Sequence, residues 1–163
     1  MAKTTPDHIE RSILIPAPRE RVWDVLTDAR KFGEWFHVQL RGNFQPGETI
    51  TGSVTEKDLH GLPVKMEIGL MDHEKLFSWR WHPAAVNPNF DYSREPMTNV
   101  EFTLADAPNG NTHLTVVERG FDEIPPERRD AAYRMNYEGW GIQMSRIEDF
   151  VTSEMTGGRV KPD

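Results

Sequence analysis

The chain has no cysteine. That excludes disulfides, thiolate nucleophiles and Cys-ligated zinc, and it fits a reducing compartment. Basic residues are in the minority, with 19 Lys and Arg against 26 Asp and Glu and a formal net charge of −7. Nucleic-acid binding needs clustered Lys and Arg on the phosphates, so no nucleic-acid partner is expected. No uninterrupted apolar run approaches the length of a membrane span. The opening MAKTTPDHIERS lacks the apolar centre of a signal segment. The expectation is a soluble, cytoplasmic protein without membrane insertion. The six His residues, at 8, 37, 60, 73, 82 and 113, show no ligand spacing such as H-E-x-x-H. There is no nucleophile elbow, glycine-rich phosphate loop or dinucleotide fingerprint. Neither a metal nor a cofactor is expected.

What is present is alternation. Ile9, Arg11, Ile13 and Ile15 share one face of a strand, and the PAP that follows stops it. Val38 and Leu40 begin a short strand, and Ile50, Gly52 and Val54 alternate with polar neighbours. Val64, Met66, Ile68 and Leu70 do the same. Phe77, Trp79 and Trp81 alternate with Ser78, Arg80 and His82, the clearest period of two in the chain. Residues 83–97 form a polar connection with three prolines, longer than a usual hairpin loop. Val100, Phe102 and Leu104 resume the alternation, Asn109-Gly110 marks a hairpin, and Leu114 and Val116 carry the last strand.

Two helical regions interrupt or follow the strands. Pro18 is suited to a first turn, where its missing N–H costs nothing, and Val22, Val25, Leu26 and Ala29 then fall near helical spacing. Asp28 is placed to cap a second short helix ending near Trp35. From Pro125 to Glu154 one long helix is predicted, with an apolar stripe of Ala132, Met135, Trp140, Met144, Ile147 and Val151. Gly139 and Gly141 flank Trp140 and point to close sheet contact or a bend. Gly157-Gly158 is expected to end it. At 163 residues the chain reads as one domain, residues 8–155, between flexible tails at 1–7 and 156–163. A long antiparallel sheet with helices on one face is an α+β fold.

The pattern IPAPRERVWDVLTD, then Trp35-Phe36, then FSWRWHP, LTVVERGF and Gly139-Trp140, resembles the SRPBCC superfamily. This is the START-like, birch-pollen-allergen-like helix-grip fold. Within it the chain is similar to the family named for the activator of heat-shock-protein-90 ATPase, in its C-terminal domain. The resemblance covers about residues 8–152. It implies a curved sheet of about seven strands around a C-terminal helix, with a cavity between them. It carries over no catalytic residue. The eukaryotic co-chaperones of that family have two domains, and this chain has room only for the C-terminal type.

If the sheet's concave face holds the larger residues, the inward set is Met66, Ile68, Leu70, Phe77, Trp79, Trp81, Val100, Phe102, Leu104, Leu114 and Val116. The long helix adds Met135, Trp140 and Met144. Such a set suits either a filled core or an adaptable apolar lining. Glu118 continues the parity of Leu114 and Val116, so it should face inward near a strand end and orient a ligand or move a proton. The alternative is a rim carboxylate paired with an Arg. Arg11 could face solvent or an inward acid. Tyr133 and Tyr137, one turn apart, could present hydroxyls at a cavity mouth, and Trp35 and Phe36 could form a lid or a plug.

Three functions fit. The first is binding of a small hydrophobic or amphipathic ligand in the cavity, for transport, sensing or sequestration. The second is an enzyme of polyketide-cyclase or hydrolase type that uses Glu118 and a Tyr. The third is a protein-interaction module acting on a chaperone. A homodimer is compatible with all three.

Overall fold

Seven antiparallel strands follow from the alternation. The computed structural model describes residues 5–157. In chain order the elements are β1 (His8–Ile15), α1 (Arg19–Thr27), α2 (Ala29–Phe36), β2 (Val38–Arg41), β3 (Thr49–Val54), β4 (Pro63–Asp72), β5 (Leu76–Trp81), β6 (Thr98–Ala107), β7 (Asn111–Arg119) and α3 (Pro126–Gly157). One sheet holds all the strands in the order β1-β7-β6-β5-β4-β3-β2. The chain leaves β1, crosses through α1 and α2 to the far edge, and meanders back until β7 closes against β1. This is the helix-grip arrangement, a curved sheet with one long C-terminal helix. The tails expected at 1–7 and 156–163 lie mostly outside the described residues, as does Gly158. No described helix is long and apolar enough to cross a membrane.

Local chemistry sets the boundaries. Pro18 is the N-cap of α1, one position before the first helical residue. Asp28 then caps α2, its carboxylate accepting from the backbone N–H groups of Arg30 and Lys31 at 3.0 and 3.1 Å. His37 ends α2 in the left-handed region, φ 68°. Asn109 and Gly110 both take positive φ, 65° and 75°, which is what the tight link from β6 to β7 requires.

The core lies between the sheet and the three helices. Trp79, Phe77, Phe102, Phe32, Met66, Leu114 and Ile147 are all fully buried within it. Alternation decides most of the inward face, but not at two places. The register slips between Ile68 and Met71 where β4 meets β5. A slip of one residue turns side chains to the other face. Leu70, expected inside, is therefore 61% exposed on the outer face, and Met71 packs against the core instead. On α3 the buried stripe is Ala132, Trp140, Met144, Ile147, Phe150 and Val151. Met135, also expected inside, lies off that stripe and is 47% exposed.

Candidate functional site

One buried carboxylate organises the contact between sheet and helix. Glu118, on β7, is opposite Ile9 on one side and Val100 on the other. That register aims it, like Leu114 and Val116, at the face covered by α3. Its residue exposure is 0%. Four side chains donate to it. Trp81 Nε1–H reaches Oε2 at 2.9 Å, and the Thr98 hydroxyl reaches the same oxygen at 2.6 Å. Trp140 Nε1–H reaches Oε1 at 2.8 Å. The Asn136 amide donates to both oxygens, at 2.9 and 3.1 Å. A carboxylate that only accepts is matched by this set of donors. Two of them come from the sheet and two from α3, so the group ties the two layers together.

Helical and strand periods deliver those partners. Asn136 and Trp140 are four residues apart, one above the other on α3. They continue the stripe that begins at Ala132. Thr98 precedes Val100, Phe102 and Leu104 with the same parity, which makes it an inward residue at the start of β6. Both Thr98 and Asn136 escaped the sequence reading, although each sits at an inward position by its spacing. A polar residue on an otherwise apolar stripe was the available signal.

Around the carboxylate the walls are aromatic. Trp81 and Trp140 stack at 6.0 Å with a 27° angle between planes. Phe36 lies 5.7 Å from Trp81 and 6.3 Å from Trp140. Beneath them Trp79 packs against Trp81, Phe102 and Trp140 at 5.5, 5.7 and 6.3 Å. The indole N–H of Trp79 is buried and has no hydrogen-bond partner among the described residues. Every other donor in this aromatic group meets Glu118, so the orphan stands out. Trp81, Phe36 and Asn136 are only half-buried and form the outer edge of the group.

The other expected residues are distributed as follows. Met66, Ile68, Phe77, Phe102, Leu114, Val116 and Met144 are buried in the interface. Tyr137 is not part of the site: it is 43% exposed. Arg11 of β1 lies over its ring at 4.7 Å and donates to its backbone carbonyl at 3.1 Å. Tyr133, one turn earlier, gives its hydroxyl proton to the His8 carbonyl at 3.0 Å. Burial, and then the neighbouring Tyr137, push the Tyr133 phenol above its ordinary value. Both tyrosines therefore dock α3 on β1 rather than line a mouth. Gly141 faces the same guanidinium: a Cβ there would fall 2.7 Å from Arg11, a side-chain end that can move aside. Trp35 is a plug: it is buried and donates to the Val25 carbonyl at 3.0 Å.

The proline-rich connection 83–97 is fastened to the start of α3. Arg128 donates to Glu95 at 2.7 and 2.9 Å, and its guanidinium covers the Tyr92 ring at 4.8 Å. This strap runs from the end of β5 at Trp81 to the start of β6 at Thr98, the two sheet residues that bond Glu118. Aromatic rings pack between sheet and helix. Surface clefts include one of about 410 Å³ beside Pro16, Glu148 and Thr152, and one of about 620 Å³ between α2 and β2. Neither is lined by Glu118 or its partners.

The sequence pattern of the family described as "Activator of Hsp90 ATPase homolog 1-like protein" matches residues 16–152. No curated protein matches the sequence. Among solved structures, protein MLL2253 from Mesorhizobium loti is 24% identical, with a TM-score of 0.70 over 90% of this chain and 97% of that one. Protein NE0264 from Nitrosomonas europaea is 20% identical, with a TM-score of 0.71 over 91% and 96%. DynU16, a protein of the dynemicin biosynthetic locus, is 21% identical, with a TM-score of 0.69 over 91% of this chain. This chain spans only 48% of DynU16. At these identities the likeness is one of fold.

Proposed function

The chain belongs to the Activator of Hsp90 ATPase homolog 1-like family, and on that footing we propose that it binds a small apolar or amphipathic molecule between the sheet and α3, beside Glu118. The observation that carries this reading is a pair of polar groups in the middle of an aromatic interface. Glu118 is fully buried and saturated by donors, and the Trp79 N–H is buried with no acceptor among the described residues. Packing alone gives no reason to bury either. A core of the same shape built from apolar side chains avoids both desolvation costs. A few placed polar groups in an apolar lining are the usual composition of a ligand site.

The rings meet one another, so a guest enters by parting side chains rather than by filling a ready-made void. Phe36, Trp81 and Asn136 are the half-buried members of the group and would be the ones to part. Binding is favoured over turnover by the identity of Glu118's partners. Acid–base chemistry asks for two converging titratable groups. Glu118 is met by two indoles, a hydroxyl and an amide. Carriage, sensing or sequestration of the bound molecule follows from this reading. Native mass spectrometry of the protein as purified tests it, with an apolar fluorescent probe added in parallel. A co-purifying mass, or probe emission that is lost in Trp140→Ala, is expected. A bare chain that leaves the probe dark overturns the reading.

A further inference from the structure

We infer that the ligand of the Glu118 site is an organic cation, an amphipathic amine that also carries an oxygen acceptor. The inference rests on the binding reading above and specifies its chemistry. Glu118 is fully buried, yet among the described residues its partners are all neutral. Three arginines that touch α3 or belong to it bond other groups. Arg128 holds Glu95, Arg11 holds the Tyr137 carbonyl, and Arg146 holds Glu56. A buried carboxylate without a counter-ion is costly, and a cationic guest would supply the missing charge.

The surroundings suit a cation for a second reason. Trp81, Trp140 and Phe36 put aromatic rings around the carboxylate. The negative face of an aromatic ring attracts an ammonium group, most strongly for Trp and when water is excluded. A neutral apolar guest would gain nothing from the charge, and an anionic guest would be repelled by it. Among the donors, the Asn136 amide is the one to be replaced. It is half-buried, it comes from the helix, and it spans both carboxylate oxygens as a bound ammonium group would. The oxygen acceptor is called for by the unpartnered Trp79 N–H, which lies in the same aromatic group.

The test uses the full chain labelled with 15N and a panel of aromatic and aliphatic amines, each matched with its own alcohol and carboxylate. 2-Phenylethylamine, 2-phenylethanol and phenylacetate form one such set. Affinities are read from the indole N–H signals of Trp79, Trp81 and Trp140. Amines that bind about tenfold more tightly than their alcohols, with carboxylates weaker still, are the expected result. In Glu118→Gln that preference should vanish. Because this variant can fail to fold, Asn136→Ala supplies a second arm: removing the displaced amide should tighten amines several-fold and by more than it tightens their alcohols, and an unchanged or reduced amine preference counts against the cation. Alcohols that bind as well as amines, and move the same indoles, overturn the cation while leaving an amphipathic ligand in place. A panel in which no compound moves any of the three indoles overturns the cation and the binding reading together.

Discussion

Trp140 gives its indole N–H to Glu118 at 2.8 Å, which joins the middle of α3 to the end of β7 across the centre of the fold. The bond needs two coincident placements. The strand period must aim Glu118 inward, and the helix stripe must aim Trp140 at it. Stability and binding therefore share one set of atoms, and changes there should affect both.

Glu118→Gln tests the acceptor role. The new amide nitrogen would face donors that already point at its position, leaving at least one buried N–H or O–H unmatched. A loss of about 1–3 kcal/mol is expected. Urea denaturation should show it as a lower midpoint with an unchanged slope.

Gly52→Ala tests the outer edge of the sheet. A Cβ at Gly52 would fall 2.1 Å from the Gln39 carbonyl oxygen and 2.9 Å from the Leu40 Cα, both backbone atoms of β2. Backbone cannot yield as a side-chain tip can. Destabilisation of about 1–3 kcal/mol is expected, with hydrogen-exchange protection lost first at residues 38–41.

Much of this was legible before the structure. The strand alternation places Trp79, Phe102, Leu114 and Val116 on the buried face, and the same parity carries Glu118 there with them. Leu70 faces outward because a bulge between Ile68 and Met71 breaks the count, and Gly69, an isolated glycine inside the strand, is its sequence signal. Met135 was misplaced because it lies at the margin of a helical stripe whose centre runs through 132, 136, 140 and 144. Asn136 is the converse case: it holds a central position on that stripe, where a polar side chain does not register in an apolar pattern. Tyr137 has helical spacing to Trp140, but only the contact with Arg11 decides which way it turns.

Arg128→Ala should release the strap. Glu95, whose side chain is 8% exposed, would lose its ion pair and be left as a part-desolvated charge. A cost of about 3–5 kcal/mol is expected for a broken pair of this burial. Limited proteolysis should then cut within residues 84–95 faster in the variant than in the parent.

The contact of Glu56 with α3 predicts an acid-sensitive contribution. Burial pushes the Glu56 carboxyl up, but the hydrogen bond and charge of Arg146, with those of His37, outweigh it and hold the group below its ordinary value. A depressed carboxyl stabilises the fold above its unfolded pKa, and that stabilisation is lost as pH falls through the folded pKa. The stability gap between the parent and Glu56→Gln should therefore shrink as pH falls below the usual carboxylate range. Thermal midpoints measured from pH 7 downward check this, and a gap that widens in acid would contradict it.

The most direct measurement of the central claim is an intermolecular NOE experiment with a bound amphipathic amine. Contacts from the amine to the indole N–H protons of Trp79, Trp81 and Trp140, and none to those of Trp23 or Trp35, are the predicted result. Contacts confined to surface groups such as Leu70 or Ile142, with all three indoles silent, would contradict it.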